Sequence, residues 1–369
     1  MDALLTQRPR THQPASIPVN PKSFAVITLT LLLLIAPAVL INAQQDRSEP
    51  IRLFVTVTNS KGFVSGLTKD AFEVSVDKAP AKIIDFMGED APMSVGIVLD
   101  LSGSMKKVIQ KKQRDEELTV LQQALVRFFE LSNESNHYFL VGVGEKPELL
   151  SEWTSKPADV VKQLEGLKPW GGTALYDTCY AAMKKLQASR HSKRGLILIT
   201  DGADSSSRYS FNDLRRLVRD AGVPLYSINF LVSQYEGILP LEGLGVLDEL
   251  TNPSGGLAFT SSRLRLPEAN AMFEAIAAEL RSQYILSIEP VNQLADGKFH
   301  KIKVKVNAPA DAPRELKKLT ARTREGFYAS QSANRTPQPQ LANCLPTKDY
   351  SGGFSKRVLA VSQRQSGTG

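Results

Sequence analysis

Three short segments of this sequence carry oxygen-bearing side chains in a pattern that suits a metal ion. They read Asp100-Leu101-Ser102-Gly103-Ser104, then Gly171-Gly172-Thr173, then Thr200-Asp201-Gly202. Carboxylate and hydroxyl oxygens are ligands for hard divalent cations, and Mg²⁺ usually keeps some of its waters. The pattern predicts a site for one Mg²⁺, Mn²⁺ or Ca²⁺ ion, formed by Asp100, Ser102, Ser104, Thr173 and Asp201.

The chemistry of these ligands favours binding over catalysis. The three hydroxyl residues would supply neutral oxygens, whereas Asp100 and Asp201 would supply charge, mostly through bound water. An ion with neutral direct ligands keeps most of its positive charge and attracts a carboxylate from another protein. The histidines His137 and His191 each precede a predicted strand, which places them at the opposite edge, so no general base is evident near the ion. We therefore predict a protein-binding site and no enzyme.

Alternating strand and helix patterns must position these segments. Nearly continuous apolar runs indicate strands buried on both faces, and the runs alternate with amphipathic helical patterns. This order predicts a doubly wound, mostly parallel α/β sheet, in which the carboxyl ends of the strands meet at one edge. The strand runs cover residues 94–99, just before Asp100, and residues 138–143, 196–200 and 224–230, and the helical patterns cover residues 118–131, 174–186, 212–221 and 268–281.

Both flanks of the α/β region carry strand patterns instead. Alternation appears at residues 51–58, 72–76 and 83–86, and again at residues 284–288, 300–306 and 319–324. Three strands alone are too few for a stable core. The two flanks are therefore predicted to form one small β-sandwich, into which the α/β domain is inserted. The predicted boundaries are 51–90 and 283–328 for the two halves of the sandwich and 91–282 for the inserted domain.

The two ends of the chain differ from the body. Residues 24–43 are almost entirely apolar and follow Arg8, Arg10 and Lys22. This predicts that residues 1–43 are either a cleaved export signal or an uncleaved membrane anchor. Both alternatives place the body outside the cytoplasm, periplasmic or secreted, with membrane contact only through this segment. Residues 44–50 are a polar linker, and the Gln-, Pro- and Ser-rich residues 329–369 have a composition typical of a disordered tail.

The charge balance does not indicate a nucleic-acid partner. Lysine and arginine total 45 and aspartate and glutamate total 38, which gives a net charge of +7. Much of the excess lies at the two ends, whereas a nucleic-acid-binding surface would concentrate it on one face or helix.

The three segments, in this order, resemble the metal-ion-dependent adhesion site of von Willebrand factor type A (VWFA) domains. In that family the three hydroxyl residues bind the metal directly and the two aspartates act largely through water, and all five positions are matched here. Sequences near residues 56–74, 284–300 and 324–328 are similar to secreted bacterial VWFA-related proteins, so the resemblance covers about residues 51–328. It implies a Rossmann-like VWFA fold and a protein partner that offers a carboxylate.

Other residues near these segments have open roles. Trp170 could contact a partner at the rim of the site or pack under the loop. Asp204 could belong to the same rim or cap a loop, and Asp177 is expected to satisfy backbone groups. Two alternative functions also stay open: an envelope-assembly protein with a stabilising metal, and a metal-assisted hydrolase.

Overall fold

The computed structural model describes residues 50–105, 119–169, 171–230, 241–261, 265–290, 294, 296–308 and 318–329. The predicted N-terminal segment, the linker up to residue 49, the tail from residue 330 and Trp170 lie outside this part. The side chains of Ser104 and of residues 241–244 are not described either.

The central sheet of the α/β domain has the order β10-β9-β8-β5-β6-β7. All neighbours are parallel except β7, which runs antiparallel to β6 at one edge. Every residue of β5 is buried, as expected for a strand covered on both faces. The strands are β5 (Met93–Asp100), β6 (His137–Val143), β7 (Pro147–Thr154), β8 (Lys193–Ile199), β9 (Leu225–Phe230) and β10 (Ala258–Ser261).

Helices cover both faces of this sheet. One apolar core joins α1, α2 and α6 to the face of β5 that carries Val95 and Ile97, and a second joins α3, α4 and α5 to the face that carries Val98. None of the described helices is long and apolar enough to cross a membrane. The helices are α1 (Val120–Leu131), α2 (Pro157–Gln163), α3 (Leu175–Gln187), α4 (Phe211–Ala221), α5 (Leu241–Ser254) and α6 (Leu266–Ser282).

The strands from both flanks form one antiparallel β domain with its own apolar core. Its order is β13-β1-β11-β4-β3-β12-β14, and β2 pairs with β1. Strand β11 follows the α/β domain in sequence yet lies between β1 and β4, so neither flank forms this sheet alone. The predicted insertion is confirmed. The strands are β1 (Ile51–Asn59), β2 (Gly62–Phe63), β3 (Phe72–Val76), β4 (Ala79–Met87), β11 (Tyr284–Pro290), β12 (Phe299–Val306), β13 (Thr320–Arg322) and β14 (Gly326–Tyr328).

Polar contacts join the two domains where the chain passes between them. Asp90 lies on the way into the α/β domain, and its carboxylate accepts two hydrogen bonds from the Arg281 guanidinium, both 2.9 Å long. Deeper in the interface, Glu279 of α6 accepts a hydrogen bond from Tyr226 Oη (2.6 Å) and forms an ion pair with Arg322 of β13 (2.5 Å). These contacts hold the C-terminal end of α6 against the β domain.

Candidate metal-binding site

Asp100 ends β5 and is fully buried. Its Oδ1 accepts a hydrogen bond from the Ser102 amide (2.8 Å), and its Oδ2 accepts one from the Thr200 hydroxyl (2.6 Å). Burial raises the pKa of the Asp100 carboxyl above its ordinary value, and repulsion from the nearby charge of Asp201 acts in the same direction. Asp100 is therefore a buried acid with neutral donors around it.

Ser102 and Ser104 follow in the turn that leaves β5. The Leu101 amide donates to the carbonyl of Val143 (3.0 Å), which fixes this turn against the end of β6. Ser102 is buried and precedes a 3-10 turn, Gly103–Met105, which contains Ser104. Both serines thus lie at the carboxyl edge of the sheet, beside Asp100.

Thr173 is buried at the end of the glycine pair, just before α3. Gly171 has φ +81°, a conformation that favours glycine. A Cβ atom at Gly172 would collide with the hydroxyl of Ser206. Gly171 is therefore favoured by its backbone conformation, whereas a side chain at Gly172 would require the Ser206 hydroxyl to move.

Asp201 follows β8 and is partly exposed, and its Oδ1 accepts a hydrogen bond from the Ala203 amide (3.1 Å). The preceding residue, Thr200, links two of the segments, because its hydroxyl donates to Asp100 and accepts from the Gly202 amide (3.1 Å). This bridging role was not predicted from sequence, although Thr200 belongs to the third segment.

The structure brings the three segments together at one edge of the sheet. In the β5–β8 register Leu99 pairs with Ile199, so Asp100 and Thr200 leave the sheet side by side. The second segment joins them through the loop that follows Asp201, because the carbonyl of Thr173 accepts hydrogen bonds from the amides of Ser205 (2.8 Å) and Ser206 (3.1 Å).

Two acidic residues beside the site hold the surrounding loops. Asp177 accepts hydrogen bonds from the amides of Arg208 and Tyr209, each 2.9 Å long, in agreement with the expected backbone role. Asp204 accepts one from the Tyr176 amide (3.0 Å) and one from the Ser207 hydroxyl (2.6 Å). The carboxylate of Asp204 thus has a loop-capping role, and its contact with a partner stays a prediction.

The described residues at this edge fit a hard divalent cation. No Lys, Arg or His of the described chain forms an ion pair with Asp100 or Asp201, so a cation would relieve their mutual repulsion. Within the same residues no group of three or more His, Cys, Asp or Glu side chains could hold a metal. An ion here would therefore need hydroxyl oxygens such as those of Ser102 and Thr173, which suit Mg²⁺ better than softer metals.

Comparison with known proteins identifies the α/β domain. The family model of the von Willebrand factor type A domain matches residues 95–203. No curated protein matches the chain in sequence. The matched stretch begins inside β5 and ends just after Asp201, so it contains all three segments.

Several solved structures are similar to this chain at low identity. The PilB minor pilin from Streptococcus sanguinis is 15% identical with a TM-score of 0.41, covering 53% of this chain and 62% of the pilin, so this chain spans about three fifths of it. The vWF domain of the type V pili tip protein Mfa5 from Porphyromonas gingivalis is 13% identical (TM-score 0.38, covering 51% of this chain and 95% of that one). A von Willebrand factor type A protein from Catenulispora acidiphila is also 13% identical (TM-score 0.38, covering 78% and 76%). On the family match and the topology of its sheet, the chain carries a von Willebrand factor type A domain.

Proposed function

We propose that this chain is an exported protein-binding module whose VWFA domain holds one divalent cation and presents it to an acidic side chain of a partner protein. The observation that carries the proposal is the pair Asp100 and Asp201. These acids lie at the carboxyl edge of the sheet, beside the hydroxyl residues Ser102 and Thr173, without a basic partner among the described residues. VWFA domains are mostly protein-interaction modules, which supports the same function.

The proposed ligands divide into two groups. Ser102, Ser104 and Thr173 would bind the ion directly, and Asp100 and Asp201 would act through bound water. The hydrogen bonds that Asp100 already accepts from Ser102 and Thr200 support an indirect role, because they orient both carboxylate oxygens. The preferred ion is Mg²⁺, with Mn²⁺ and Ca²⁺ as alternatives. When bound, the ion would supply an electrophilic position for a carboxylate.

The surroundings support binding over hydrolysis. His137 begins β6 and His191 precedes β8, so both lie at the opposite edge of the sheet. His300 lies in the β domain, where its ring nitrogens contact Asp77 and Asp296. None of these three imidazoles is placed to take a proton from a water at the candidate site.

The proposed location outside the cytoplasm is supported by the apolar run of residues 24–43 and the basic residues before it. A cleaved signal would release the module, and an uncleaved segment would anchor it to the membrane. Treatment of intact cells with a protease, followed by detection of the chain in membrane and soluble fractions, distinguishes the two alternatives.

Binding to acidic peptides tests the proposed function. An immobilised peptide library in which each Asp or Glu has an Asn or Gln counterpart is incubated with the full chain, in Mg²⁺ and then in EDTA. The proposal expects binding that requires both Mg²⁺ and the carboxylate, that is lost in Asp100→Asn and that is kept in the control Asp248→Asn, an exposed acid on α5. Binding in EDTA equal to that in Mg²⁺ would contradict metal-mediated binding. A large fall in melting temperature in EDTA without carboxylate-dependent binding would favour a purely structural metal.

A further inference from the structure

The first turn of α3 carries no capping side chain of its own. Ala174 occupies the N-cap position and offers no side-chain acceptor to the first free amides. The loop after Asp201 supplies the acceptors instead, since the Tyr176 amide donates to Asp204 and the Asp177 amide donates to the Ser207 hydroxyl (3.0 Å). The start of α3 therefore depends on a segment about thirty residues away in sequence.

Ser205 of this loop holds the backbone of Thr173 on both sides. The Ser205 hydroxyl accepts a hydrogen bond from the Thr173 amide (2.9 Å), and the Ser205 amide donates to the Thr173 carbonyl (2.8 Å). With both backbone groups held, the rotation of Thr173 about φ and ψ is restricted. The direction of its side chain is thereby set relative to the loop that also carries Asp201.

The contact is reciprocal, so the loop is held as well. Asp177 in the first turn of α3 accepts hydrogen bonds from the amides of Arg208 and Tyr209, and its Oδ2 contacts Arg208 Nε at 3.2 Å. The loop of residues 204–209 and the start of α3 thus orient each other. Two candidate metal ligands are close to these segments in sequence: Thr173 precedes α3, and Asp201 precedes the loop.

We infer that Ser205 is a positioning residue of the candidate metal site, which orients Thr173 toward the ion by fixing its backbone. The inference rests on the proposed function and adds a residue that does not itself contact the metal. Outer-shell partners of metal ligands typically change affinity by about 10–100-fold when they are removed. Loss of the Ser205 hydroxyl should lie near the lower end of this range, because the Ser205 amide still holds the Thr173 carbonyl.

Titration of the full chain with Mn²⁺, followed by the electron paramagnetic resonance signal of free Mn²⁺, tests the inference. Ser205→Ala should bind Mn²⁺ about tenfold more weakly than the unmodified chain. Ser205→Thr keeps the hydroxyl and should restore binding. Ser155→Ala is the matched control, because Ser155 is exposed and follows β7 at the opposite edge of the sheet, away from Thr173. Its affinity should stay unchanged.

Melting temperatures in EDTA separate positioning from a merely structural effect. Ser205→Ala should melt close to the unmodified chain without metal, and should lose part of the upward shift that Mn²⁺ produces. A large fall of the melting temperature in EDTA would overturn the positioning role, as would Mn²⁺ affinity equal to that of the unmodified chain. The second result would leave the proposed function standing. Failure of the unmodified chain to bind Mn²⁺ would instead reject the proposed function, and this inference with it.

Discussion

Asp100 and Glu279 are two buried acids in very different surroundings. The Glu279 side chain is 2% exposed, and it is neutralised from within by Arg322 at 2.5 Å, with Tyr226 Oη as a further donor. Asp100 is 0% exposed, and it has amide and hydroxyl donors but no ion pair among the described residues. An unpaired buried charge is costly, whereas a paired one is tolerated. Glu279 thus joins the domains, and the absence of an ion pair at Asp100 among the described residues supports the proposal that a bound cation supplies its positive charge.

Two acids of the β domain, Asp77 and Asp296, have a basic partner within the protein, as Glu279 does. His300 is buried, and its two ring nitrogens lie 2.7 Å from Asp77 Oδ2 and 2.9 Å from Asp296 Oδ1. A neutral imidazole carries a single N–H, so only the imidazolium donates to both acids. In this cluster, too, the protein supplies its own cation, in contrast to the candidate metal site.

The largest expected effect on stability comes from breaking the neutralised pair. Glu279→Gln leaves the Arg322 guanidinium, 31% exposed, without its counter-charge. We expect a loss of about 3 kcal/mol in the free energy of unfolding, at the lower end of the range for broken buried pairs. Urea denaturation measures it, and Mn²⁺ affinity should stay unchanged. A loss below about 1 kcal/mol would show that the pair contributes no more than a surface contact.

Removing the charge of Asp100 should raise the free energy of unfolding in EDTA, in contrast to the loss expected for Glu279→Gln. Asp100→Asn keeps an acceptor for the Ser102 amide and removes the carboxylate that burial penalises. In EDTA we expect the variant to be more stable than the unmodified chain, by about 1 kcal/mol, the usual size of a single-substitution effect. Added Mg²⁺ should stabilise the unmodified chain alone. Thermal denaturation with and without Mg²⁺ measures both effects, and a destabilised variant in EDTA would break the comparison.

The His300 cluster should make stability depend on pH. Burial alone would lower the pKa of His300, but its hydrogen bonds to Asp77 and Asp296 together outweigh burial and raise the pKa above its ordinary value of 6.5. A raised histidine pKa stabilises the fold fully below about pH 6.5, and this contribution is lost as pH rises through the folded-state pKa. His300→Gln should flatten the decline in the free energy of unfolding above pH 6.5. The control is His191→Gln. Burial lowers the pKa of His191, so this variant should keep the decline above pH 6.5. An unchanged pH profile in His300→Gln would contradict the assignment.

The smallest effect is expected for the exposed pair at the domain crossing. Arg281 and Asp90 form two hydrogen bonds, but their side chains are 48% and 43% exposed and are therefore screened by water. Arg281→Gln should cost less than about 1 kcal/mol of unfolding free energy. Urea denaturation gives this value. A cost near that of Glu279→Gln would contradict the expectation that solvent exposure makes the Arg281–Asp90 pair the weaker of the two.

The buried strands and the long helices of the α/β domain were predictable from sequence. Apolar runs marked β5, β6, β8 and β9, and helical periodicity marked α1 and α6. The edge strand β7 was not predicted, because its residues Pro147–Thr154 mix polar and apolar types and its pairing with β6 contains two register shifts. Helix α5 was also missed, since it contains glycines and Pro253. Strand β10 has only four residues. These elements form through tertiary packing more than through local pattern.

The candidate ligands were easier to find than the residues that support them. Asp100, Thr173 and Asp201 follow or precede strongly patterned elements, so their common edge could be predicted from topology alone. The hydrogen bonds from Thr200 to Asp100 and from Thr173 to Ser205 join residues that are 100 and 32 positions apart. No local pattern reveals such pairs. The run Ser205-Ser206-Ser207 was a visible signal of a hydroxyl-rich loop, but not of its partners.

Anomalous diffraction from a crystal soaked in Mn²⁺ tests the central claim most directly. The account predicts one strong anomalous peak at the carboxyl edge of the sheet, within direct ligand distance of the Ser102 and Thr173 hydroxyl oxygens. Asp100 and Asp201 should be separated from it by water, and the peak should be missing in Asp100→Asn crystals. No peak at this edge at saturating Mn²⁺, or a peak only at another cluster such as Asp77 and Asp296, would contradict the account.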